Sequence, residues 1–173
     1  GLNRYVRNPN LLQHYLTEKN DRKNQNIIVP IVQDKYNNTW VGTKELNYLF
    51  KIKTDGSISK VHFLTNYKGN NHPKVKSMVS DSDGIWMGCT GDLLIFYDYK
   101  EQLFTPYFSD NQGSESISDI GLHNILKVNN EIIINGFNNR TGVHAVYRFN
   151  ISSRELKTVL PLKNPCFSRA SFA

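Results

Sequence analysis

The sequence is poor in cysteine, methionine and tryptophan, with two of each among 173 residues. Cys89 and Cys166 stand far apart, with no C-x-x-C and no histidine at ligand spacing. That excludes a zinc ribbon or finger and reads as two unpaired, mostly buried thiols. No apolar run reaches the ~18–20 residues of a membrane-spanning helix; the best, 27–32, is broken by Pro30. The opening Gly1-Leu2-Asn3-Arg4-Tyr5 has neither a Met nor the apolar core of a secretion leader. It reads as cut from the middle of something, which leaves room for an exported or membrane-anchored parent. Glycine-rich phosphate loops and nucleophile elbows are missing, so no cofactor is expected. What the chain does have is 39% hydrophobic and 12% aromatic residues, which excludes disorder.

Acidic residues are scarce except in the middle. Residues 1–74 carry 12 Lys/Arg against 5 Asp/Glu, residues 75–122 carry 2 against 8, and residues 123–173 carry 7 against 2. The net charge of +6 is therefore two basic ends around an acidic centre. A nucleic-acid groove needs a continuous basic stripe, so no nucleic-acid partner is expected.

The chain repeats itself. Ile31-Val32-Gln33-Asp34 leads through a polar turn to Thr39-Trp40-Val41-Gly42-Thr43, and Met78-Val79-Ser80-Asp81 leads to Ile85-Trp86-Met87-Gly88-Cys89. The spacing from Trp40 to Trp86 is about 46 residues, a period typical of radial sheet repeats. A degenerate third copy over 125–136 ends on Ile134-Asn135-Gly136, with Ile134 in the place of the Trp and no Asp. After each Gly comes a segment of period two, such as Leu46, Tyr48, Phe50 and Ile52, or Val143, Ala145, Tyr147 and Phe149. Period two is strand periodicity. Each unit is thus four short strands joined by hairpin-length turns. The one helix-like stretch, 10–19, reads better as a strand because of its place in the repeat.

One such sheet cannot bury both of its apolar faces alone. Stacking sheets radially does so and gives a β-propeller. The expected fold is all-β: a propeller segment of four-stranded antiparallel blades, with three complete blades and a partial one. The boundaries read as 1–24 for the end of a partial blade, 25–66, 73–110 and 120–162 for full blades, and 163–173 for a tail or the start of another. Asp34, Trp40, Gly42, Asp81, Trp86, Gly88 and Gly136 are expected to be structural repeat positions. Trp would wedge between blades, Gly would allow close approach of a neighbour, and Asp would cap the first hairpin. Pro30 suits an edge strand.

These motifs resemble the two-component regulator propeller repeat. The departures are Asn38 where Gly is usual, Cys89 in place of Thr, and the degenerate third copy. The resemblance runs to about residue 162. WD-type repeats and sialidase Asp boxes fit less well, since no Gly-His…Trp-Asp pair is present and Ser82 stands at the Asp-box position. The resemblance implies the periplasmic sensor region of a hybrid histidine kinase of the kind common in gut Bacteroidetes, such as Bacteroides. It implies oligosaccharide binding and control of carbohydrate-utilisation transcription. On that reading the segment itself is no enzyme. Its partners are the rest of the propeller, the parent receptor and, in that receptor, a second copy. It neither binds nucleic acid nor inserts into a membrane.

In a propeller, loops joining second to third strands and one blade to the next crowd one face, and loops on rigid scaffolds carry function. Candidate ligand residues there are Lys44, Glu45, Tyr67, Asn70, His72, Asp92, Asn138, Asn139 and Arg140. They mix amides, charges and an aromatic face, as sugar recognition requires. No catalytic residue and no metal ligand are expected. Asp81 and Asp83 read as turn formers, and the five histidines, His14, His62, His72, His123 and His144, are dispersed. Two other readings stay open: a propeller enzyme of lyase or hydrolase type, and a scaffold for protein contacts.

Overall fold

The period-two segments of the sequence are strands in the structure, a computed structural model that describes residues 2–5, 12–15, 28–43, 48–62, 74–89, 93–107 and 116–162. β1 (Leu2–Tyr5) pairs antiparallel with β2 (Leu12–Tyr15). Within the stretch that could have been a helix, the described residues 12–15 are a strand. Three four-stranded sheets follow. The first is β3 (Ile28–Gln33), β4 (Thr39–Thr43), β5 (Tyr48–Ile52) and β6 (Ile58–His62). The second is β7 (Val75–Ser80), β8 (Gly84–Cys89), β9 (Leu93–Asp98) and β10 (Phe104–Tyr107). A short 3-10 turn, Ile117–Asp119, leads into β11 (Ile120–Val128), β12 (Glu131–Asn138), β13 (Val143–Asn150) and β14 (Leu156–Leu162).

Each sheet runs in chain order and is antiparallel throughout. The first strands gather: β7 touches both β3 and β11. Sheets that meet along their first strands and face one another are the blades of a propeller. Pro30 lies on β3, an edge strand, where a missing N–H breaks no ladder.

Burial explains the repeat. Trp40 and Leu49 of the first blade pack against Val75, Ile85, Met87, Cys89, Ile95 and Tyr97 of the second. Trp86 and Leu94 of the second pack in the same way against Leu122, Ile125, Ile134, Tyr147 and Phe149 of the third. Each Trp is therefore the wedge between its own blade and the next. Burying a whole indole, on the order of 200 Å², contributes at most about 5 kcal/mol. The Gly two residues on makes room for the same neighbour. A Cβ at Gly42 would stand 2.6 Å from Pro30 Cγ and 3.4 Å from Val75 Cβ, and one at Gly88 would stand 3.2 Å from Ile125 Cγ2.

A β-bulge recurs in the first strand of each of the three four-stranded blades. It falls between Ile28 and Ile31, between Val75 and Ser77, and between Leu122 and Asn124. The bulge fixes the equivalence of the third copy, and it corrects the sequence alignment by one residue. Ser77 pairs with Gly88 and Asn124 with Asn135, so Asn135 holds the Gly position and Ile133 the Trp position. Packing agrees, because Ile134 lies in the core toward the second blade, as Met87 lies toward the first. Gly136 takes the place of Cys89, and a Cβ there would run into Ile120 and Gly121 of its own blade. The spacing is thus 46 residues and then 47 (Trp40, Trp86, Ile133). A one-residue shift puts a side chain on the other face of a sheet, so the distinction changes which way each residue points.

Cys89 is a free, fully buried thiol, and burial pushes its pKa far up. Cys166 lies outside the described residues.

Candidate functional site

The two Asp positions diverge in detail. Asp34 Oδ1 accepts the backbone N–H groups of Tyr36 at 2.9 Å and Asn38 at 2.8 Å. Its Oδ2 accepts from Asn38 Nδ2 at 2.9 Å and from the Trp40 indole N–H at 2.7 Å. Burial raises its pKa, but these hydrogen bonds outweigh that and hold it below the usual carboxylate range. The second hairpin is one residue shorter, counted from Asp to Trp. There Asp81 accepts the Ser82 N–H at 2.7 Å and turns to Lys127 of the third blade, 2.8 Å away. Burial of Asp81 is again outweighed, by Lys127 and Ser82, and its pKa is lowered. Trp86 Nε1 is buried with no hydrogen-bond partner. Both Asp residues cap hairpins, but Asp34 also binds its Trp, whereas Asp81 clasps the next blade.

At the opposite end of the blades lie the β12–β13 connection and the turn before β11. Asn138 is buried, and its Oδ1 accepts the N–H groups of Arg140 and Thr141, each at 2.9 Å. Gly142, at φ +74°, donates its N–H to the Asn138 carbonyl at 2.8 Å and closes the loop. The Asn139 N–H reaches the Asp119 carbonyl at 2.7 Å, and Arg140 Nη2 lies 3.6 Å from Asp119 Oδ2. The two loops are therefore tied together on one end of the third blade. Of the candidate ligand residues, Asn139 and Arg140 are exposed there, while the Asn138 side chain is committed to the turn. Lys44, Glu45, Tyr67, Asn70, His72 and Asp92 lie outside the described residues.

Sequence reasoning missed a second group nearby. His123, in the bulge of β11, and His144, on β13, bring their rings to 5.9 Å, and Phe137 lies 4.7 Å from His144. Burial, together with the charge of Lys76 and with His144, lowers the pKa of His123. His123 and His144 looked dispersed because 21 positions separate them along the chain. Only the pairing of β11 and β13 with β12 brings them together. The signal available in the sequence was Asn135, a polar residue in an otherwise apolar repeat, and it could be read only in the correct register. No group of three or more His, Cys, Asp or Glu is placed to hold a metal among the described residues. Nor is any helix among them long and apolar enough to cross a membrane.

The sequence matches no family model and no curated protein. Solved structures do match. One is the extracellular domain attributed to a hybrid two-component system of B. thetaiotaomicron, with TM-score 0.53 and 18% identity over 77% of this chain. Another is a catalytically inactive virginiamycin B lyase from Staphylococcus aureus with quinupristin, with TM-score 0.58 and 20% identity over 86% of this chain. A streptogramin B lyase gives TM-score 0.60 at 17% identity over 87%. The chain spans 15% of the length of the first and 45% of each lyase. These likenesses establish the propeller-like all-β fold.

Proposed function

We propose that the segment is a non-catalytic, ligand-binding part of an extracytoplasmic sensor propeller in a two-component-type regulator. The ligand class is oligosaccharides released from glycans, and the output is transcription of carbohydrate-utilisation genes. The observation that carries this reading is the conjunction of the Asp…Trp-x-Gly repeat with a fold like that of a two-component extracellular domain. Loops tied together at one end of a rigid blade, with exposed Asn139 and Arg140, support a binding face. The periplasm is the compartment this reading requires, and the partners are the rest of the propeller and the receptor. Isothermal titration of the full-length extracytoplasmic region against a panel of glycan fragments tests it, and binding of none of them sinks it.

The lyase likeness supports a second reading, a propeller enzyme. Catalytic turnover of a cyclic lactone or a polysaccharide by the same protein, abolished on replacing His123 or His144, would select it.

A further inference from the structure

The third blade breaks the repeat on one face. Where the first two blades carry Gly42 and Gly88, it carries Asn135. At Gly88 the first strand of the neighbouring blade presses in: a Cβ there would stand 3.2 Å from Ile125 Cγ2 and 3.6 Å from Leu122 Cβ. Asn135 carries a carboxamide at the equivalent position. It is 2% exposed, and neither its Oδ1 nor its Nδ2 has a hydrogen-bond partner. A buried amide with both ends unpaired is costly, and native structures keep few of them.

The register places its neighbours. Asn135 is opposite Val146, and Phe137 is opposite His144, so Asn135, Phe137 and His144 share one face of the sheet. His144 sits one diagonal step from Asn135, within reach of a shared partner. Its Nδ1 is also buried and unpartnered. His123 is the extra residue of the bulge across from Asn135 and Gly136, and its ring faces that of His144 at 5.9 Å. Lys76 holds the same bulge position in the second blade, and its charge acts on His123. The group is thus an amide and two imidazoles, with the ammonium of Lys76 carried on the adjoining strand β7. Glu131, further along the same face, is held by Arg148 at 3.5 Å, and Asp119 is held by Arg140. A cation would be repelled by Lys76, whereas a carboxylate would be drawn to it.

We propose that Asn135, His123 and His144, on the side of the blade where β7 with its Lys76 packs against β11, form a site for a carboxylate-bearing ligand. The Asn135 Nδ2 and imidazole N–H groups donate to the carboxylate oxygens, and Phe137 offers an apolar flank to the ligand ring. Resting on the sensor reading above, this specifies the sugar class: oligosaccharides that contain a uronic acid.

The test uses the full-length protein, titrated with short oligogalacturonates, with uncharged galactan fragments of equal length, and with acetate. Imidazole NMR signals of His123 and His144 report on the site. The acidic sugars are expected to bind at least about tenfold tighter than the uncharged ones. Asn135→Gly, which restores the residue of the other two blades, is expected to weaken them by about tenfold or more. Lys76→Gln is expected to weaken binding and flatten its salt dependence. Equal binding of charged and uncharged sugars overturns this site while leaving the sensor reading standing. Imidazole shifts with acetate but with no sugar keep the carboxylate site and remove the glycan reading. Shifts with zinc alone, or with none of these probes, overturn the site.

Discussion

The Trp40 indole N–H donates to Asp34 Oδ2 at 2.7 Å, while the repeat-equivalent Trp86 N–H has no partner. The same wedge is thus anchored polar-to-polar in one blade and held by packing alone in the next. Trp86 compensates with rings, lying 4.7 Å from Phe96 and 4.8 Å from Tyr107.

Asp34→Ala is expected to cost about 3 kcal/mol, because it strands the Trp40 N–H and the turn amides in a buried place. Asp81→Ala should cost less, about 1 kcal/mol, since its partners are partly solvated. Urea denaturation of both variants measures the difference. Equal losses would mean that the Trp40 hydrogen bond adds nothing.

The Asp34 carboxyl titrates lower in the folded protein than in the unfolded chain. Its contribution to stability is therefore fully present above the unfolded pKa of about 3.9, and it is lost as pH falls through the folded value. Wild type should lose stability steeply below about pH 4, and Asp34→Asn should be less stable at neutral pH but flatter in acid. Parallel pH profiles of the two proteins would refute this.

Lys127 links two blades through Asp81 at 2.8 Å and also donates to the Asn129 carbonyl at 2.7 Å. A double-mutant cycle of Asp81→Asn with Lys127→Met is expected to give a coupling of about 1 kcal/mol, shrinking in molar salt. A salt-independent coupling would show that packing, not charge, joins the blades there.

The corrected register of the third copy makes a sharp contrast. Ile134 is fully buried toward the second blade, while Ile133 is half-buried on the other face. Ile134→Trp overpacks a closed core and is expected to cost about 3 kcal/mol, whereas Ile133→Trp should stay within about 1 kcal/mol. The reverse order, read from thermal or urea unfolding, would restore Ile134 to the tryptophan position.

Composition and periodicity by themselves determined the strands, their number per unit, the antiparallel hairpins and the stacking of units. The reason is that period two and a 46-residue repeat are local properties, and a sheet with two apolar faces has few ways to bury both. They also identified Trp40 and Trp86 as wedges and Asp34 as a cap, since the spacing between Asp and Trp is short enough to read along the chain. Tertiary structure alone decided where the third copy lies. With its Trp and Asp gone, Gly136 was the only marker left, and it was the wrong one by a single residue. Packing against the second blade settled that register, because one step along a strand exchanges core for surface. The same step turned Asn135 from a bystander into a buried, unpartnered amide beside His123 and His144, a grouping that exists only once three strands are laid side by side.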